Sequence, residues 1–183
     1  GTIADVAPLD GDNRRLTRYG LGLLSGSARP GLAVLRDLAR IRPGQRVGAI
    51  DVAFRFAPRL NAAGRLGDPA ITLALLRART LEEARPLAAR IDALNSERKD
   101  VQRQVTEEAI AEVRRTSGAT LPAGIVVASD RWHRGVVGIV AARLVEVFDA
   151  PAIVIAMHDG IGHGSGRAPP GFPLYDAIAR CRG

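Results

Sequence analysis

The sequence predicts an α/β protein: a helical first part, one long helix, and a smaller part built of strands and helices. Three observations predict it. The apolar runs Ile125-Val126-Val127-Ala128 and Ala152-Ile153-Val154-Ile155-Ala156 are short and rich in β-branched residues. They flank a helical stretch from Gly135 to Val147, an order that makes a strand–helix–strand unit, expected to be parallel and right-handed. Upstream, a polar-rich stretch from Thr80 to about Thr116 carries Ile91, Leu94, Val101, Val105, Ala109 and Val113 as a narrow apolar stripe, and a long helix of that kind often bridges two domains.

The elements follow in order. Residues 2–9 read as a short buried strand, interrupted by Asp5, that leaves into a turn. Asp12 or Asn13 can cap a helix running to about Ser25, and residues 25–31 form a loop. Leu32, Leu35, Leu38 and Ala39 recur at helical spacing until Pro43-Gly44 stops them. Residues 51–56 look helical, with Pro58 ending that helix and residues 59–65 following it. Pro69 suits the first turn of the next helix, which carries Ile71, Leu73, Leu75 and Leu76. Thr80 to Glu83 has the pattern of a capping box, Pro86 marks a kink, and Ser117-Gly118-Ala119 closes the long helix. Residues 163–168 suggest a third strand, and Leu174 to Arg182 a last helix.

Composition narrows the function. Hydrophobic residues make up 46% of the 183, enough for a core. The net charge is +7 with a pI near 11.0, which favours a polyanionic partner, most simply nucleic acid. Lys99 is the only lysine, and arginine suits bidentate phosphate contacts. The codon bias of a GC-rich genome, consistent with the many Ala, Gly and Val residues, accounts for the same arginines. Cys181 is the only cysteine, which excludes a disulfide framework and a thiolate cluster and points to a cytoplasmic protein. No run approaches a membrane span and no signal peptide is present. A start at Gly1 and an end inside a helical pattern suggest an internal piece of a longer protein.

Four groups of residues can carry chemistry. Gly162-His163-Gly164-Ser165-Gly166-Arg167-Ala168 alternates glycine with polar residues after an apolar strand. Glycine lets a backbone approach a ligand, while the Ser165 hydroxyl and Arg167 guanidinium suit phosphate oxygens; a plain glycine-rich hairpin is the alternative. Trp132-His133-Arg134-Gly135-Val136-Val137-Gly138 joins a strand to a helix N-terminus, where orphan N–H groups attract anions. There His133 can donate to phosphate, and Trp132 either stacks on a base or packs in the core. Arg59, Asn61 and Arg65, beside Gly64, suit a phosphodiester backbone or simply a solvated turn. Asp5 lies where a strand meets a turn, as a ligand-facing carboxylate or a turn residue. No Ser-His-Asp triad, Walker motif or complete dinucleotide motif is present, and the three histidines lack zinc spacing with cysteine.

Taken together, five stretches resemble the bacterial single-strand-specific exonucleases of the DHH phosphoesterase superfamily. They are residues 1–9, Arg-Leu-Asn-Ala-Ala-Gly-Arg-Leu at 59–66, Asp-Ala-Leu-Asn at 92–95, Trp-His-Arg-Gly-Val-Val-Gly-Ile-Val-Ala at 132–141, and Gly-Ser-Gly-Arg at 164–167. The resemblance implies the C-terminal part of a DHH catalytic domain at 1–79, a connecting helix at 80–118, and a partial DHH-associated α/β domain at 119–183, with substrate in a cleft between the two lobes. It implies 5′-to-3′ hydrolysis of single-stranded DNA in repair and recombination, by a monomer with no membrane association and a centre of two Mn²⁺ or Mg²⁺ ions. By the same resemblance, Asp5 is the last aspartate of that centre, at once catalytic and metal-binding. Ser165, Gly166 and Arg167 are the pocket for a terminal 5′-phosphate, and Arg59, Asn61, Arg65 and His133 line the substrate path.

The departures matter as much. The Asp-rich motifs and the Asp-His-His motif that supply most metal ligands are missing from this sequence, and one aspartate cannot hold two cations. Ala168 follows the loop where a second serine is expected, and His163 is not a demand of the family. Two alternatives remain. One is a relative acting on short oligonucleotides or cyclic dinucleotides, although such proteins carry Gly-Gly-Gly-His where this chain has Gly-Ser-Gly-Arg. The other is a non-catalytic single-strand-binding module.

Overall fold

The structure, a computed structural model, describes residues 1–118 and 122–181. Ala119, with which the sequence closes the long helix, and Arg182, at the end of the expected last helix, lie outside the described residues. The chain divides into two compact units, Gly1–Glu97 and Arg98–Gly183.

Among its described residues the first unit is helical. It holds α1 (Gly11–Gly26), α2 (Pro30–Leu38), α3 (Ala49–Asp51), α4 (Ala57–Leu66), α5 (Ala70–Arg77) and the first part of α6 (Leu81–Ser117). Its core gathers Leu35, Ile41, Val47, Phe56, Leu75 and Ile91, with Ala84 and Ala88 letting α6 come close. The apolar stripe expected on the long helix is buried except for Val101, which is half-buried, and it serves two cores. Ile91 and Leu94 sit in the first unit, Val105, Ala109 and Val113 in the second. At its start, Glu83 N–H donates to Thr80 Oγ1 at 3.2 Å, the forward half of a capping box. The Glu83 carboxylate reaches back one residue further than expected, accepting from Arg79 N–H at 2.8 Å.

Two sequence expectations fail here for physical reasons. Residues 2–6 form successive turns instead of a strand, with Asp5 N–H donating to Gly1 O at 2.8 Å and Ala7 N–H to Thr2 O at 3.1 Å. A strand needs a neighbour for its backbone groups, and the described residues of this unit contain no other. Pro58 does not end a helix. Val52–Phe56 is a π-helical turn that leads directly into α4, with Pro58 in its first turn, where a missing N–H costs little. Residues 59–65 are therefore helical, not a turn between helices.

The second unit is a three-stranded sheet with α7 (Val137–Phe148) on one face. Strands β1 (Ile125–Ser129) and β2 (Ala152–His158) pair in parallel, as the strand–helix–strand order requires, and β3 (Ile161–Arg167) pairs antiparallel with β2. Ile125, Val127, Ala152, Val154 and Ala156 meet Val137, Val140, Ala141 and Leu144 of α7 in one core with Val105, Ala109 and Val113 of α6. The two-residue turn Asp159-Gly160, with φ of 49° and 77°, links β2 to β3, the geometry of a tight hairpin. A last helix, α8 (Leu174–Arg180), follows.

In the first unit, a Cβ added at Gly31 of α2 would lie 1.9 Å from the Leu75 carbonyl oxygen of α5. Alanine gains roughly 1 kcal/mol of helix propensity over glycine, but overpacking a rigid backbone contact costs about 1–3 kcal/mol. Gly31→Ala is therefore expected to destabilise the helical unit by about 2 kcal/mol, measured by urea unfolding followed at the helical circular-dichroism band. Unchanged or increased stability would contradict this close packing.

Candidate phosphate-binding site

The site starts from the register of β3. Ala152 faces Arg167, Val154 faces Ser165 and Ala156 faces His163 across the ladder. Partners in a ladder share a face, so His163, Ser165 and Arg167 lie on the α7 side of the sheet. A Cβ added at Gly138, in the first turn of α7, would lie 3.1 Å from Ser165 Oγ and 3.4 Å from an Arg167 guanidinium nitrogen. Glycine at 138 thus lets a hydroxyl and a guanidinium stand against a helix N-terminus, where backbone N–H groups add partial positive charge. Arg167 Nη1 donates to Ser165 Oγ at 3.0 Å and to the Gly166 carbonyl at 2.7 Å, which holds the fork over the strand.

The glycines of β3 have a different reason from the one the sequence suggests. Gly162, Gly164 and Gly166 face away from α7, opposite Met157, Ile155 and Ile153. A Cβ at Gly162 would lie 3.0 Å from Ile155 Cγ2, and one at Gly166 2.9 Å from Leu174 Cδ2. They make room for apolar side chains on the far face. Gly166 serves the Ser165–Arg167 side only through its carbonyl.

The loop from β1 to α7 is pinned to α6. Trp132, expected either to stack on a base or to pack, is buried, and its Nε1–H donates to Glu108 Oε2 at 2.9 Å. Arg131 lies 3.6 Å from the same carboxylate oxygen. The Trp132 hydrogen bond, helped by Gln104 and Arg131, holds the Glu108 carboxyl below its ordinary range, against a smaller opposing effect of desolvation. His133 is exposed, and its Nδ1 accepts from Gly135 N–H at 3.0 Å. That bond fixes the ring and leaves Nε2 for other partners.

The first unit separates the other candidates. Arg59 is tied to α6, its Nε donating to Asp92 Oδ1 at 2.8 Å and its Nη1 to the Arg55 carbonyl at 2.8 Å. Asn61 and Arg65, one helical turn apart, line a depression of about 490 Å³ with Gly64, Pro69 and Thr72. Asp5 is exposed within its turn. No group of three or more His, Cys, Asp or Glu that could hold a metal ion occurs among the described residues, so the residues present do not by themselves make a metal centre. The sequence reading missed Glu108, and placed Asp92 in a matching stretch without its partner Arg59, because a carboxylate on a long polar helix carries no local sign of its partner 24 or 33 residues away. It also missed Arg14, Arg18 and Arg46, which line a cavity of about 700 Å³ beside α1.

The chain as a whole is similar to known proteins. The chain is 44% identical over 184 residues to the single-stranded-DNA-specific exonuclease RecJ of Salmonella typhimurium, and equally to that of Escherichia coli. The Bacillus subtilis RecJ is 43% identical over 189 residues. The fold superposes on crystal structures of Thermus thermophilus RecJ in complex with Mg²⁺ and with Mn²⁺, each at a TM-score of 0.84 and 32% identity over 97% of this chain. In sequence and in fold, the chain is similar to a segment of RecJ. It covers 98% of itself but only 32% of the Salmonella and Escherichia RecJ lengths, and 27% of the Thermus chain with Mg²⁺. No protein-family model matches it. The α/β class with a long helix agrees with the RecJ fold, and no helix among the described residues is long and apolar enough to cross a membrane.

The Glu108 contact makes a testable statement about pH. A carboxyl with a lowered folded-state pKa contributes stability that is complete above its unfolded pKa and disappears as pH falls through the folded value. Unfolding of the second unit, read from the single tryptophan Trp132, should therefore show a loss of stability below about pH 4.5 that is smaller in Glu108→Gln. At pH 7 that variant should be less stable by about 1 kcal/mol. Identical acid profiles for the two proteins would show that the Trp132–Glu108 bond contributes nothing.

Proposed function

We propose that this chain is the substrate-gripping portion of a RecJ-type exonuclease, and that its second unit holds the 5′-phosphate of single-stranded DNA. The observation that carries the reading is the meeting of Ser165 and Arg167 at Gly138, on the first turn of α7. Each part suits a phosphate monoester. Arg167 supplies a charge-assisted fork, Ser165 a hydroxyl, Gly166 the carbonyl that steadies the fork, and α7 its N-terminal amides. A terminal phosphate carries more charge and more free oxygens than an internal phosphodiester, so such a site prefers an end over the middle of a strand.

The other candidate residues fit the same reading in supporting positions. His133, with Nε2 available, donates to the strand near the second unit's site, and Asn61 and Arg65 line a depression wide enough for a sugar–phosphate unit. Arg59 acts through Asp92, stiffening α4 on α6 more than touching DNA. In this reading 1–79 belongs to the catalytic domain, 80–118 connects, and 119–183 grips substrate. The longer enzyme works 5′ to 3′ as a cytoplasmic monomer in repair and recombination, with two Mn²⁺ or Mg²⁺ ions. Asp5 is the one ligand this chain brings to that centre. For the chain alone the reading is binding without cleavage.

Two outcomes follow. In a longer RecJ-type protein containing this sequence, Ser165→Ala and Arg167→Ala should each reduce the preference for 5′-phosphorylated over 5′-hydroxyl oligonucleotides about tenfold, a loss of about 1.4 kcal/mol, measured by competition binding. Equal affinity for the two ends in the unaltered protein would remove the pocket assignment. The purified 183-residue chain should release no nucleotides from single-stranded DNA in Mn²⁺. Release that Asp5→Ala abolishes would show that the chain carries a complete metal centre.

A further inference from the structure

The first unit holds a cavity of about 700 Å³ beside α1 that the exonuclease reading leaves unused. Three arginines reach it from two parts of the chain. Arg14 and Arg18 lie one helical turn apart on α1, and Arg46 comes from the segment between α2 and α3. Leu9, Leu21 and Val47 give the wall apolar surface, and no carboxylate lines it. Among the described residues, the three guanidinium groups make no hydrogen bond and no ion pair. The acids Asp12 and Asp51 are engaged elsewhere, with Arg15 at 3.4 Å and with Arg55 at 3.3 Å.

Hydrogen bonds fix the walls. Val47 N–H donates to Ser25 Oγ at 2.8 Å, and Ser25 Oγ donates to the Leu21 carbonyl at 2.8 Å, which ties the Arg46 segment to α1. Arg36 Nη1 donates to the carbonyls of Leu24 and Ser25 at 3.0 and 2.9 Å and closes the end of α1. Just before Arg46 the chain turns at Gly44, with φ of 79°, and Gln45 N–H donates to the Arg42 carbonyl at 3.0 Å. Arg36 thus serves the frame, while Arg14, Arg18 and Arg46 line the space it frames.

We propose that this cavity binds a nucleotide through a run of adjacent phosphates, that is, a nucleoside diphosphate or triphosphate. Like charges one turn apart on a helix repel, and three guanidiniums around one space raise a positive potential that an anion relieves. Each guanidinium can grip two phosphate oxygens at once. Adjacent phosphates gather their charge at one place, as the three cations do, whereas a DNA strand spreads single charges along its length. The apolar wall offers sugar and base a surface that inorganic phosphate cannot use. The volume lies within the range of about 300–1,000 Å³ usual for small-molecule sites. With no carboxylate in the wall to hold a metal ion or take a proton, the site binds its ligand without hydrolysing it. The inference is independent of the terminal-phosphate reading, since every residue in it belongs to the first unit.

The test is isothermal titration of the 183-residue chain carrying Ser165→Ala and Arg167→Ala, so that the second unit's site does not contribute, with EDTA present to keep metal ions out. Adenosine triphosphate should bind at one site, and adenosine or inorganic triphosphate alone should bind weaker by about tenfold or more. The triple variant Arg14→Gln, Arg18→Gln, Arg46→Gln should lose about tenfold or more in affinity for adenosine triphosphate. The control Arg79→Gln, Arg85→Gln, Arg90→Gln removes the same charge from exposed positions of the same unit and should lose about twofold or less. Arg46→Gln alone should weaken binding about threefold with an unchanged thermal midpoint, since its side chain has no partner to lose; it decides the matter if the triple variant does not fold. Four results overturn the proposal. They are no binding of adenosine triphosphate at millimolar concentration, inorganic triphosphate binding as tightly as the nucleotide, and equal losses in the two triple variants. The fourth is a 5′-hydroxyl oligothymidylate that binds more tightly than adenosine triphosphate and depends on the same three arginines, which would make the cavity a strand site.

Discussion

The pairing of Ile153 with Gly166 and of Val154 with Ser165 decides which side of the sheet each group of β3 faces. Side chains alternate along a strand, so a slip of one residue would turn Ser165, Arg167 and His163 to the far face and drive glycines against α7. The register is held at both ends. Asp159 and Gly160 both adopt positive φ, which closes a two-residue turn with the twist that flanking strands require. On the far face, a Cβ at Gly162, Gly164 or Gly166 would crowd the Ile155 or Leu174 side chain at 2.9 to 3.2 Å. A one-residue slip would bring a side chain into that crowded space.

Once the register is set, the polar groups need a partner at the right height, and α7 provides it. Its apolar positions Val137, Val140, Ala141 and Leu144 bury against β1 and β2, which places its first turn over the edge where Ser165 and Arg167 emerge. The loop feeding α7 is fixed from the other side by the Trp132–Glu108 hydrogen bond. A largely apolar core thus positions a cationic surface, and the buried Trp132 indole N–H of the loop is satisfied by a carboxylate. This division explains why Trp132 packs. Its ring is part of the support of the site, while His133 and Arg134 beside it stay exposed.

How legible this was depends on the range of the forces involved. The stripe from Ile91 to Val113 is readable because helical spacing is local, and the strand–helix–strand order because β-branched runs and their spacing are local too. The Asp159-Gly160 dipeptide is an equally local hairpin signal, which the sequence reading did not use. By contrast, residues 2–9 have the apolar character of a strand but no strand partner in their unit, and Pro58 looks like a helix end although the preceding π-helical turn absorbs it. Pairings such as Arg59–Asp92 and Trp132–Glu108 leave no trace in their own neighbourhoods. Of the candidate residues named from the sequence, Ser165 and Arg167 come together at Gly138, His133 lies in the same unit, and Asp5, Arg59, Asn61 and Arg65 lie in the other. The purpose of the β3 glycines was not legible, since that depends on what β2 and α8 place opposite them.

The alternation along β3 separates two kinds of constraint within seven residues. Positions 162, 164 and 166 answer to the bulk of their neighbours, and positions 163, 165 and 167 answer to whatever lies beside α7. Changes at the second set leave the first untouched, so the chemistry displayed by this strand can diverge while its backbone stays fixed. A strand of this design accommodates a new ligand by exchanging alternate letters, and a departure such as His163 is where such divergence would first show.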